Sequence, residues 1–278
     1  MLENPRSPRV RAVAKLTKRS ARTETGLFLL EGPQSVREAL NYLPAAVVEL
    51  FATPTAWEKH ADVRALAAEI DLEVEYVTES VLTAMADTVT PQGIVAVARQ
   101  TPTSVRDIFA ASPRLVAICE EVRDPGNLGT IIRAADAAGA DAVVLTGRTV
   151  DPYNPKVVRS TTGSLFHLPI SVGGDLTDVV SRAHAAGMTV LAADVKGDDL
   201  LEARARGVLA EPTAWLFGNE AHGLDDDMLG LADHALKLPI FGRAESLNLA
   251  TAASVCLYES AFAQRAEASD ASTSVTNR

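Results

Sequence analysis

Three short clusters in this 278-residue chain set reactive side chains beside glycines and prolines at the ends of apolar runs. The first, Glu120 to Arg133, reads EEVRDPGNLGTIIR. Pro125-Gly126 predicts a turn and Asn127 a helix N-cap, while Gly129, four residues before Arg133, leaves open space beneath a guanidinium that can reach outward. An ordinary capped helix with a solvated arginine would use the same residues. The second, LFGNEAHGL from Leu216 to Leu224, closes an apolar strand, with glycines that permit close backbone approach to a ligand. Its best-placed carboxylate is Glu220. The third, LPIFGRAESLNLA from Leu238 to Ala250, joins a short strand to a long apolar helix. Ser246 and Asn248 fall near that helix start, where free N–H groups and the helix dipole favour an electron-rich ligand atom. Capping alone would also account for them.

Other chemistries lack their patterns. Glu220, His222 and the run Asp225-Asp226-Asp227 have no metal-ligand spacing, so no metal site is expected. Ser246 sits in no G-x-S-x-G elbow and has no evident histidine partner. Neither G-x-G-x-x-G after the strand before Glu120 nor a G-x-x-x-x-G-K-[ST] loop occurs, which disfavours a dinucleotide oxidoreductase and a P-loop enzyme. Two cysteines, Cys119 and Cys256, lie in apolar runs and exclude a disulfide framework.

The elements that must position these clusters follow from apolar patterning. With 47% hydrophobic and 22% charged residues, the chain reads as globular, with room for two unequal domains. Residues 1–22 carry seven basic side chains against Glu3, a charge of +6 that leaves −16 for the rest of a chain at −10. This predicts a basic arm, either a frayed helix or a dock for phosphate. Residues 23–100 alternate helical and strand patterns in a small α/β domain, and the proline-bearing 101–113 reads as a linker. From 114 to 265, short apolar runs alternate with helical patterns, predicting a mostly parallel sheet with covering helices. Residues 266–278 lack apolar side chains in their bulk and are expected to be a disordered tail. No signal peptide and no uninterrupted apolar span of about 18 residues occurs, so a cytoplasmic, non-membrane protein is expected.

Taken together and in order, DPGNLGTIIRAADAAGADAVVL, LFGNEAHGL and LPIFGRAESLNLATAASVCLYE resemble the three motifs of the SPOUT superfamily, in its SpoU or TrmH type of RNA ribose 2′-O-methyltransferase. The resemblance covers residues 114 to about 264. More weakly, residues 23–98 resemble the ribosomal-protein-like substrate-binding domain that precedes the catalytic domain in many such enzymes. It implies a trefoil knot in the C-terminal domain, a homodimer with a shared active site, S-adenosyl-L-methionine as cofactor and RNA as substrate, with ribosomal RNA favoured.

Carried onto this chain, the resemblance implies that Ala193, Gly218, Asn219, Glu220, Leu238 and Leu247 wrap the cofactor. Arg133 would lie against the target ribose and phosphate, supported by Asn127, Glu220, Ser246 and Asn248. Arg159, in KVVRSTTGS, would grip RNA from the partner subunit, with an ordinary surface arginine on a helix as the alternative. Arginine normally keeps its proton, so phosphate orientation is physically safer for Arg133 than a base role. A transfer RNA 2′-O-methyltransferase and a non-catalytic RNA-binding or assembly factor on the same fold stay open as alternatives.

Overall fold

The computed structural model describes residues 1–275, with side chains through residue 266; residues 276–278, the end of the expected tail, lie outside the described residues. Contacts divide the chain into two units, Met1–Thr101 with Asp151–His167, and Pro102–Val150 with Leu168–Arg278.

The first unit begins with α1 (Pro8–Lys15) and α2 (Arg19–Thr25). Ser7 caps α1 by accepting the Val10 N–H, and Pro8 occupies the first turn, where no amide donor is needed. There follow β1 (Leu27–Glu31), α3 (Pro33–Tyr42), β2 (Val47–Ala52), α4 (Pro54–Lys59), α5 (Ala61–Glu69), β3 (Val74–Tyr76), α6 (Glu79–Met85) and β4 (Ile94–Arg99). The sheet order is β1-β4-β2-β3, antiparallel except for β2 with β3.

The basic segment 1–22 is not a separate arm. Val10, Val13 and Leu16, spaced by three, are buried in one core with Leu29, Phe51, Val77, Leu82 and Val95. An apolar face of this kind is invisible to a charge count. Arg22 is 1% exposed, donates to the Leu16 and Thr17 carbonyls at 2.9 Å, and pairs with Asp151 at 2.6 Å.

The second unit starts with α7 (Val105–Ala110), inside the expected linker 101–113. Ser104 caps α7, and Ile108 and Phe109 are buried in the core of this unit, so most of the linker is folded structure. Then come β5 (Leu115–Glu120), α8 (Pro125–Ala138) and β6 (Ala142–Thr146). Next, α9 (Pro155–Thr161) lies in the segment 151–167, which groups with the first unit although it was expected in the domain 114–265. There Phe28 packs on Tyr153 and Phe166, with ring centroids at 4.8 and 6.5 Å. Such long-range aromatic packing leaves no local sequence signal.

The chain continues through β7 (Ile170–Gly174), α10 (Leu176–Ala185), β8 (Thr189–Asp199), α11 (Leu200–Ala205), β9 (Thr213–Phe217), α12 (Asp226–Leu229), β10 (His234–Lys237) and α13 (Leu249–Val275). The six strands lie in the order β10-β8-β9-β5-β6-β7, all parallel. All of β5, β6 and β9 is buried, as strands covered on both faces require. Trp215 on β9 donates to Ser260 on α13 at 2.9 Å in a buried contact that satisfies the indole N–H. Once packing has fixed its start, α13 propagates cheaply into the segment expected to be a disordered tail and reaches Val275.

Candidate active site

All three motifs emerge at the carboxyl ends of parallel strands, where open α/β sheets place ligands. After β5 the chain turns through Glu121, a non-glycine residue at φ +53°, and enters α8. The N-cap of α8 is Asp124, whose Oδ1 accepts the Asn127 N–H at 2.8 Å, in place of the expected Asn127 cap. Pro125 suits the first helical position, which sets the cap at the residue just before it, three positions ahead of Asn127. Asn127 thereby keeps its side chain for longer-range contacts.

Those contacts join the three motifs. Glu220 Oε1 accepts from the Asp124 amide at 3.0 Å and from Asn127 Nδ2 at 3.2 Å, while Oε2 accepts the Arg123 amide at 3.1 Å. Asn127 Oδ1 in turn accepts from Asn248 Nδ2 at 2.9 Å, and Asn248 Oδ1 receives the Ala250 and Thr251 amides at the start of α13. Partial burial opposes ionisation of Glu220, but its donors, led by the amides of Arg123, Glu220 itself and Asp124 with Asn127 behind them, hold the carboxyl below its ordinary value. Glu220 is thus an acceptor that ties loops together, and at neutral pH it is ionised.

Asn219 closes the second motif on itself. Its backbone exchanges two hydrogen bonds with Gly223, at 3.1 and 2.9 Å, and its Nδ2 donates to the Glu121 carbonyl at 2.8 Å. Its Oδ1 accepts the Ala221 amide at 2.8 Å. Gly218 is needed for this turn: a Cβ there would lie 2.6 Å from the Gly223 backbone and 2.8 Å from Leu224. Its lack of a side chain serves the fold of the loop, and the lining of the cleft beside it begins at the adjoining Asn219.

That cleft has a volume of about 410 Å³. Of the expected cofactor residues, Ala193, Asn219, Glu220, Leu238 and Leu247 line it. So does Ser246, exposed and without a hydrogen bond among the described residues. The sequence-based set missed Lys237 and Glu245, which also face the cleft. Their adjacency to Leu238 and Ser246 was the available signal. The walls mix apolar side chains with one ammonium and the carboxylates of Asp194, Glu220 and Glu245.

Arg133 is exposed on α8, and its side chain makes no ion pair or hydrogen bond among the described residues. Arg159, expected to grip RNA, pairs in the first unit with Glu31 at 3.1 Å and Asp87 at 3.0 Å. Two carboxylate partners distant in sequence neutralise it. Cys119 is no nucleophile, since burial pushes its thiol up to about 12. Among the described residues no three His, Cys, Asp or Glu side chains group closely enough to hold a metal ion.

Residues 114–258 match the SpoU rRNA Methylase family, and residues 7–96 match the MRM3-like substrate binding domain. The chain is 34% identical to the 23S rRNA (guanosine(2553)-2′-O)-methyltransferase RlmP of Bacillus subtilis, over 92% of this chain and 97% of that protein. It is 33% identical to a 23S rRNA (uridine(2479)-2′-O)-methyltransferase of Streptomyces viridochromogenes, over 88% of this chain and 86% of that one. Among solved structures, the AdoMet-bound rRNA methyltransferase from Sinorhizobium meliloti superimposes with a TM-score of 0.81 at 33% identity, covering 93% of this chain and 96% of that chain.

Proposed function

From the premise that this chain belongs to the SpoU rRNA methylase family, we propose that it transfers a methyl group from S-adenosyl-L-methionine to a ribose 2′-hydroxyl of ribosomal RNA. The observation that carries the reading is the hydrogen-bonded chain Glu220–Asn127–Asn248, which joins all three motifs beside one cleft. The cleft fits the cofactor. At about 410 Å³ it lies in the ordinary range for small-molecule sites, and Leu238, Ile240 and Leu247 offer apolar surface to a purine. Lys237 with Asp194 and Glu245 offers charges of both signs to a zwitterionic amino-acid end.

When bound, S-adenosyl-L-methionine supplies an electrophilic methyl on a sulfonium. The chain's own residues hold and orient. Asn219 and Glu220, with the adjoining backbone at Gly218 and Leu238, bind the cofactor. Ala193 and Asp194 close around its adenosine, and Leu247 covers it. Arg133, always protonated, grips the phosphate beside the target ribose and stabilises the negative charge that develops on the 2′-oxygen. Asn127, Glu220 and Asn248 fix its surroundings through their hydrogen-bonded chain, and the Ser246 hydroxyl is left to hydrogen-bond the bound substrate. The thioether product is uncharged at sulfur, so no strong anion is required to hold it.

Ribosomal RNA is favoured over transfer RNA because relatives with nearly full-length overlap act on 23S rRNA and residues 7–96 match a substrate-binding domain. The working form is a homodimer, a reading supported by exposed Phe241 (89%) and Phe262 (54%) together with Val255 and Tyr258. The C-terminal segment threads into a trefoil knot, as the family resemblance implies. Among the described residues no helix is long and apolar enough to cross a membrane.

The test is transfer of labelled methyl from S-adenosyl-L-methionine to purified large-subunit ribosomal RNA and to bulk transfer RNA, side by side. Label in ribosomal RNA, abolished in Arg133→Ala while cofactor affinity stays within about twofold, is expected. Label confined to transfer RNA would move the substrate assignment. No label in either, or in assembled subunits, together with no cofactor binding, would make this a non-catalytic RNA-binding protein.

A further inference from the structure

A second cleft in the same unit, of about 430 Å³, opens at the carboxyl ends of β5, β6 and β7 and shares no lining residue with the first. Four carboxylates line it, from Glu120, Asp175, Asp225 and Asp227, and no basic side chain does. Asp175 and Asp225 have structural work as N-caps of α10 and α12. Glu120 has no such account. It is 5% exposed, and its Oε2 is buried without a hydrogen-bond partner. Gly147, at φ +58°, makes room for it: a Cβ there would overlap Glu120 Oε1. Burial, reinforced by Glu121, Asp175 and Asp225 against a hydrogen bond from Thr146, pushes the Glu120 carboxyl up.

A buried carboxylate oxygen with no donor is costly, and like charges converging on one cleft repel. A bound cation relieves both. The carboxylates are nevertheless too dispersed for a single metal ion, since no three acidic, histidine or cysteine side chains among the described residues group closely enough to ligate one. The remaining wall includes Leu176, Met228 and Leu231, which suit methylene groups and not a hydrated ion. Charge spread over several positions, with aliphatic surface between, matches a chain of methylenes carrying several ammonium groups.

We propose that this cleft is a binding site for an aliphatic polyamine, with one ammonium directed to Glu120, another to the Asp225–Asp227 rim, and the stem against Leu176, Met228 and Leu231. The site is separate from the cofactor cleft, and Glu120 takes no part in methyl transfer.

The experiment is calorimetric titration of the full-length protein with spermidine at fixed ionic strength, with magnesium chloride as the competing cation. Saturable binding at one site is expected, weakened at least about tenfold in Asp227→Asn and in Glu120→Gln. S-adenosyl-L-methionine affinity should be unchanged in both variants. Asp227 is exposed, so its variant tests the site even where Glu120→Gln fails to fold. Absence of spermidine binding, equal affinity in Asp227→Asn and the wild type, or displacement by magnesium at equal ionic strength would each overturn the proposal.

Discussion

Replacing Glu220 by glutamine tests whether the motifs are held together by a charge. The substitution keeps the shape and one carbonyl oxygen, which can still accept from the Asp124 amide and Asn127 Nδ2 at the Oε1 position. The new amide nitrogen then faces the Arg123 N–H, donor against donor, where Oε2 accepted at 3.1 Å. A hydrogen bond to a charged group is worth roughly 1.5–3 kcal/mol, and the exposure of Glu220 cuts this to about 1 kcal/mol. For a protein of this size that lowers Tm by about 2–4 °C. The loss should be larger in function, because the Arg123–Asn127 turn is no longer pinned against the cofactor cleft; cofactor affinity should fall about tenfold. The sign with pH is fixed. A carboxyl depressed in the folded state stabilises above its ordinary value, 4.5, and that stability is lost as pH falls through the folded value. Scanning calorimetry from about pH 7 down to about pH 2.5 should therefore show a constant gap between wild type and Glu220→Gln until about pH 4.5 and a closing gap below it. Equal Tm values at neutral pH with unchanged cofactor affinity would refute the reasoning.

Leu247→Lys puts a charge on the apolar wall of the cleft and should weaken S-adenosyl-L-methionine binding by about tenfold or more in calorimetry, before any change in Tm. Gly218→Ala forces a Cβ to within 2.6 Å of the Gly223 backbone and should cost about 1–3 kcal/mol in denaturant unfolding, with the cofactor site lost alongside. Arg22→Ala leaves Asp151 without its ion-pair partner and two carbonyls without donors, which should cost about 3–5 kcal/mol; a loss below about 1 kcal/mol would mean that this contact does not anchor the first unit.

What the sequence made legible was local. Pro125, Asn248 and the glycines around Asn219 are turn and cap residues whose conformational demands lie within a few positions of themselves, so motif placement at strand ends followed directly. The parallel sheet was equally readable, because strands such as LVAICE and TAWLF are apolar in all but one residue each. What was not legible depends on partners distant in the chain. Arg159 looks free until Glu31 and Asp87 are folded against it, and the first 22 residues look like a charged arm until Val10, Val13 and Leu16 meet Leu29 and Phe51. Asn127 shows the same limit at close range. Its suitability as a cap hid the more consequential use of its amide between Glu220 and Asn248.

The tether of Asn248 to Asn127 also sets an order of events during synthesis. Residues 237–252 supply most of the cofactor cleft's wall, and they begin at the last residue of β10, so they are made when all six strands of the sheet are complete. A nascent chain paused before Lys237 has its first two motifs complete and nothing to close them over. Capture of the cofactor therefore waits until the start of α13 has left the ribosome and Asn248 has seated against Asn127.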